Sequence, residues 1–200
     1  MDGTDVVETP DSALARETAA LLRASAPEVL VNHCQRSFQF GWTLGERRGW
    51  RPDRELLYLG AVLHDLGLTE RFDGPRAFEL EGAAAAEAFL RERGCSAERA
   101  GVVKDAVALH LDVEAAQADP RPEVRLVSMG SGLDTHGARA GELPPGFLDT
   151  VVRAWPRLGF RDWLRRQSHA QAERKPDSKV AWWVETGRMG ENIGNPPFPE

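Results

Sequence analysis

A histidine and an aspartate stand side by side, His64-Asp65, at the end of the apolar run Leu56-Leu57-Tyr58-Leu59-Gly60-Ala61-Val62-Leu63. Burying an ionised carboxylate without a partner costs several kcal/mol, so the pair calls for a cation, a proton partner or an exit to water. Two readings stay open on the dipeptide alone. In one it binds a metal; in the other Asp65 is exposed at a helix end and His64 is a satisfied core histidine. The question is then whether further nitrogen and oxygen ligands recur at matching positions, and His33, His110 and Asp134 are the residues to weigh.

Helical periodicity places all three inward. From Glu28 to about Gly49, Val29, His33, Ser37, Phe40 and Leu44 share one stripe of a helix. Pro52 reads as a first-turn residue of the helix that carries His64-Asp65, with Gly67 as its stop. Gly60 and Ala61, one turn before His64, leave room for a second helix to come close. A helix over Ala77–Arg93 closes at Gly94, and one from about Ser96 carries Val103, Ala106, Val107 and His110 on one face. From Glu123, the residues Val124, Val127, Ser131 and Asp134 fall at three- and four-residue steps, so a carboxylate sits on an apolar stripe.

The remaining stretches read as a helix from Asp11-Ser12 to about Ser25 and helices over Phe147–Trp155 and Phe160–Lys175. A short last helix over Lys179–Thr186 follows, with irregular tails at 1–10 and 187–200. Strand alternation and internal repeats are not evident, so the expected fold is all-α. The expected organisation is an N-terminal tail and helix over 1–26, a central domain over 27–175, and a C-terminal helix and tail over 176–200.

Two hundred residues suffice for one sizeable core, at roughly 100–200 residues per domain. The formal net charge of -6 argues against a nucleic-acid polymer or an anionic membrane surface as partner, since both need a basic stripe. A small-molecule substrate, even an anionic one, remains allowed. The acidic, polar start lacks a leader pattern, and the two cysteines, Cys34 and Cys95, fit a reduced cytoplasmic protein. The tryptophans read as core or dimer contacts, which leaves a homo-oligomer open.

His33, His64-Asp65 and Asp134, on three helices, form a mixed nitrogen and oxygen set typical of a divalent Zn, Fe, Mn or Co ion. Their order resembles the HD-domain superfamily of metal-dependent hydrolases. Asn32-His33-Cys34-Gln35-Arg36, Leu63-His64-Asp65-Leu66-Gly67-Leu68-Thr69, Phe78-Glu79-Leu80-Glu81-Gly82-Ala83, Ala108-Leu109-His110 and Trp155-Pro156-Arg157-Leu158-Gly159-Phe160 look most like its cyanamide-hydratase-like branch. The resemblance implies a helical bundle with His33, His64, Asp65 and Asp134 as metal ligands. Two-metal members add a pair of histidines, of which only His110 has a match, so one ion is expected.

What such a site would act on is open, because fold does not select substrate. The chemistry common to the superfamily is a water whose pKa the metal lowers from 15.7 toward about 7. The first expectation is hydration or hydrolysis of a small nitrile-like molecule. The second is a phosphohydrolase acting on a nucleotide or another phosphate monoester, and the third a non-catalytic ligand-binding domain. Asp65, Glu79 and His110 are the catalytic candidates, with Glu79 equally readable as a first-turn glutamate on a helix dipole. Arg36 and Thr69 are the substrate-binding candidates; a structural salt bridge and a loop cap are their plainer roles. His136 is open between an outer layer of the site and the surface.

Overall fold

The computed structural model describes residues 5–188 and Ile193. The chain runs through α1 (Ala13–Ser25), α2 (Glu28–Arg47), α3 (Arg54–Leu63), α4 (Phe78–Glu92), α5 (Ala97–Leu109), α6 (Val113–Ala118), α7 (Pro122–His136), α8 (Phe147–Ala154), α9 (Phe160–Arg174) and α10 (Lys179–Glu185). Two short 3-10 turns, Leu66–Leu68 and Ala140–Glu142, interrupt the loops, and no strand occurs among the described residues. The all-α expectation holds.

At the centre lies α3, buried from Leu56 to Leu63. A helix that is apolar all round has to be enclosed by others, and α1, α2, α5 and α7 pack against it. Close approach depends on small residues. A Cβ on Gly130 would lie 2.1 Å from the Ser37 carbonyl oxygen, and one on Gly41 2.8 Å from that of Leu126, so α2 and α7 cross almost backbone to backbone. That crossing lies one turn from His33 on α2 and from Asp134 on α7. Gly60, the predicted point of approach on α3, faces Val127 of α7 and Ala106 of α5.

Several boundaries differ from the sequence reading. Pro52 precedes α3: the cap is Asp53, whose carboxylate accepts from the Leu56 N–H at 3.0 Å. A side-chain oxygen that satisfies an open helix donor fixes the start better than proline's restricted φ. Nor is Gly67 the stop of that helix, which ends at Leu63. Gly67 lies in the following 3-10 turn, where a Cβ would sit 2.0 Å from the Phe78 carbonyl oxygen, so it lets α4 close over the site. The Asp112–Pro122 connection contains α6, capped by Asp112 on the Ala115 N–H.

The N-terminal stretch, read as a loose tail, is anchored at Val7. The Gln39 side chain, fully buried on α2, bonds both its N–H (2.6 Å) and its carbonyl (2.9 Å). Most of the tail expected at 187–200 lies outside the described residues. Ala15 and Leu22 of α1 and Val180 of α10 join the apolar core built by α2, α3 and α7.

Candidate metal centre

His64 and His110 occupy equivalent positions at the C-terminal ends of α3 and α5, with near-identical backbone angles (φ -60, ψ -31 and φ -58, ψ -30). Each turns its Nδ1 back onto the carbonyl three residues earlier, His64 onto Ala61 at 2.7 Å and His110 onto Val107 at 2.6 Å. A carbonyl oxygen only accepts, so both Nδ1 atoms carry the proton. Both Nε2 atoms therefore face inward as lone pairs unless an additional proton is bound. The carbonyl ends of two helices add partial negative charge to the same region.

His33 reaches the identical state by another route. Its Nδ1 lies 2.6 Å from Asp134 Oδ2. Burial opposes ionisation of Asp134, but the Arg36 guanidinium and the hydrogen bonds from His33 and Arg36 outweigh it and hold the carboxyl below its usual range. An ionised carboxylate accepts only, so His33 Nδ1 is the donor and Nε2 is bare. Phe160 stacks on the ring at 4.2 Å between centroids and fixes its plane.

Asp65 meets all three bare nitrogens. Its Oδ2 is 3.4 Å from His33 Nε2 and 3.3 Å from His64 Nε2, and its Oδ1 is 3.4 Å from His110 Nε2. The two nitrogens of His33 and His64 are 3.1 Å apart. With neutral imidazoles, every group facing this point is an acceptor, and His110 Nε2 is buried without a hydrogen-bond partner. A proton or a cation relieves such a cluster and also offsets the buried carboxylate charge. Burial disfavours protonation of His64, yet the Asp65 carboxylate outweighs it and raises its pKa well above the ordinary value. Burial likewise disfavours ionised Asp65, but the charge of a protonated His64 beside it outweighs burial and pulls its pKa well below the usual range.

A divalent ion answers the same demand. His33, His64 and Asp65 bring ligand atoms within 4.8 Å of one another. Their closest separations, 3.1 to 3.4 Å, match the edges of a tetrahedron or octahedron of radius about 2.1 Å, roughly 3.0–3.4 Å. The donor set fits one such ion without selecting the element.

Asp134, expected among the ligands, stands outside this three-residue group. Its oxygens take Arg36 Nε (2.7 Å) and Nη2 (2.8 Å), Arg157 Nη1 (3.0 Å) and His33 Nδ1, all buried. It meets His33 on the side of the ring opposite the cluster. A carboxylate that orients a ligating histidine through its second nitrogen is a recurrent device at metal centres. Arg36, expected at the substrate, is instead fully buried, and its Nη1 donates to the Trp155 and Pro156 carbonyls at 2.8 and 3.1 Å. Its plainer role, a structural salt bridge, is what forms, with Asp134.

Thr69 is buried and its hydroxyl donates to the Leu66 carbonyl at 2.7 Å, the loop-capping arrangement. Glu79 is buried in the first turn of α4, and its Oε2 has no hydrogen-bond partner among the described residues. The charged loop after Thr69 is tied to α9, because Asp73 accepts from Lys175 at 2.5 Å and from Arg174 at 2.6 Å. Arg157, Phe160 and the two locking carbonyls escaped the sequence reading. The Trp-Pro-Arg-Leu-Gly-Phe stretch was the available signal for the first two.

A cavity of about 80 Å³ opens against His33, Asp65 and His110. Its other walls are the Ser128, Ser131 and His136 face of α7, Leu164 and Ser168 of α9, and Trp183 of α10, with Phe78 and Leu68 beside the histidines. His136 is thus on the cavity wall; burial first, and Arg139 second, lower its pKa. No lysine or arginine occurs among the described lining residues. Among the described residues no helix is long and apolar enough to cross a membrane.

The chain is similar to known proteins. Two cyanamide hydratases of Saccharomyces cerevisiae, DDI2 and DDI3, are each 24% identical to the chain over 197 residues, covering 94% of it and 83% of their own length. Residues 30–134, which carry every ligating candidate from His33 to Asp134, match the HD domain. The chain therefore belongs to the HD-domain family, whose members are mostly metal-dependent hydrolases.

Proposed function

We propose that the protein hydrates or hydrolyses a small neutral molecule of the nitrile type, with cyanamide the first compound to try. The observation that carries the reading is the contrast between a wholly acceptor-lined ion position and a small cavity beside it that has no lysine or arginine among its described walls. A phosphate monoester is dianionic near neutral pH and is ordinarily met by guanidinium or ammonium groups. The nearest guanidiniums, Arg36 and Arg157, are fully buried on Asp134 and backbone carbonyls. Similarity to the yeast cyanamide hydratases points the same way.

In this reading His33, His64 and Asp65 hold one divalent ion. Such an ion supplies water activation at neutral pH and Lewis acidity toward the substrate. Asp134 and Phe160 keep His33 in the required tautomer and plane. His110 Nε2, the unpartnered acceptor on the cavity wall, takes a proton from the attacking water and returns it to the substrate nitrogen. The apolar walls, Leu68, Phe78, Leu164 and Trp183, exclude competing solvent.

The test is a substrate panel on metal-loaded protein. Urea formed from cyanamide, and absent in His64→Ala, supports the reading. Phosphate released from nucleoside monophosphates, and lost in the same variant, would replace it with the phosphohydrolase.

A further inference from the structure

Three serines that line the cavity make no side-chain hydrogen bond among the described residues. Ser128 and Ser131 lie one turn apart on α7, and Ser168 is on α9; all three line the cavity and are 4%, 7% and 4% exposed. None has a hydrogen-bond partner among the described residues, whereas Thr135, beside them, spends its hydroxyl on the Ser131 carbonyl at 2.8 Å. A serine within a helix commonly bonds back to the carbonyl one turn earlier. Ser37 on α2 does so, donating to the His33 carbonyl at 2.9 Å. The three cavity serines keep their hydrogens available.

Polarity across the cavity is divided. On one side His110 Nε2, which the proposed ion does not use, only accepts, by the tautomer fixed at Val107. The serine hydroxyls of the α7 and α9 walls can donate. A molecule that presents a hydrogen-bearing group to one wall and a lone pair to the other satisfies both. Amino-nitriles and small amides have that character; a hydrocarbon or a dianion does not.

We infer that Ser128, Ser131 and Ser168 form a donor wall that orients a small neutral substrate by hydrogen bonds to its terminal nitrogen or carbonyl oxygen, with Ser131, one turn before Asp134, as the principal donor. The inference rests on the proposed function for its substrate class but is tested apart from turnover. In a hydration the wall holds the nitrogen whose electron density rises as water oxygen bonds to carbon and one carbon–nitrogen π pair moves onto nitrogen. The proton arriving there comes from that water, and the serines remain protonated throughout.

The experiment compares wild type, Ser131→Ala, Ser131→Thr and Ser128→Ala/Ser131→Ala/Ser168→Ala, all metal-loaded. Urea and acetamide binding is followed by calorimetry, and cyanamide hydration is followed by KM and kcat separately. A lost hydrogen bond predicts roughly tenfold weaker urea binding in Ser131→Ala and a larger loss in the triple variant, with Ser131→Thr within about threefold of wild type. Metal content and melting temperature serve as controls for folding. Unchanged urea affinity in both alanine variants, or no binding of either amide to wild type, overturns the donor wall. If this binding pattern holds while wild type fails to hydrate cyanamide, the wall stands and the proposed reaction falls. If cyanamide is hydrated and the alanine variants match wild type in binding and kinetics, the reaction stands and the wall falls.

Discussion

Asp65 and Asp134 are both buried and belong to one constellation, yet their surroundings are opposite. Asp134 is fully enclosed by fixed donors: two arginines and the Nδ1–H of His33. Asp65 is surrounded by imidazole nitrogens whose hydrogens point away from it, toward Ala61, Val107 and Asp134. Nothing further is needed to balance the first carboxylate. The second is balanced when a proton or a cation arrives. One is framework and the other belongs to a cluster able to hold a metal, and the difference lies in which nitrogen of each histidine the fold has already used.

The sharpest break of that contrast is Asp134→Ala. It leaves Arg36 and Arg157 buried without their counter-charge, and losing one partner of a buried pair costs about 3–5 kcal/mol. Denaturant unfolding of the metal-free protein should show a loss of that order. Asp65→Ala should cost clearly less in the same assay while abolishing the stabilisation that added divalent ion gives wild type. At an ion concentration one hundred times the dissociation constant that stabilisation is about 2.7 kcal/mol. Equal losses in the two metal-free variants would erase the distinction.

Acidity separates the two carboxylates again. His64 has a raised pKa, so in metal-free protein its contribution is fully present below the ordinary histidine value of about 6.5. It is lost as pH rises through the raised folded value. The ion competes with the same proton, so its apparent affinity should weaken as pH falls through that value, followed by calorimetry across a pH series. Asp134 has a lowered pKa; its contribution is present above about 3.9 and disappears only as pH drops through the lowered folded value. Ion release should therefore precede acid unfolding. The smallest effect is expected at Glu79→Gln, which removes a charge from the first turn of α4 and should change stability by no more than about 1 kcal/mol. A large loss of turnover with that small change would mark Glu79 as part of the chemistry.

How much of this was legible in the sequence differs residue by residue. His33 could be placed inward because Val29, Phe40 and Leu44 share its helical stripe, and α2 buries that stripe. Asp134 could be placed near the site by the same logic, with Val124, Val127 and Ser131. Its partners could not, because Arg157 comes from a loop 23 residues on whose path depends on tertiary packing. Periodicity gives the face of a helix and says nothing of what crosses it. Likewise Gly67 was recognised as special, but as a stop rather than as the gap that admits the Phe78 backbone. The paired locks of His64 and His110 depend on where α3 and α5 end, the least predictable property of a helix.

On the proposal above, His33, His64 and Asp65 hold one divalent ion while Asp134 orients His33 through its second nitrogen. Metal content per chain, measured by mass spectrometry together with X-ray absorption of the bound ion, decides it. One ion per chain should be found with two imidazole nitrogens and Asp65 oxygen among its ligands, and it should be lost in His64→Ala and Asp65→Ala. A stably folded wild-type protein that takes up no divalent ion, or an ion that survives both substitutions, would contradict the claim.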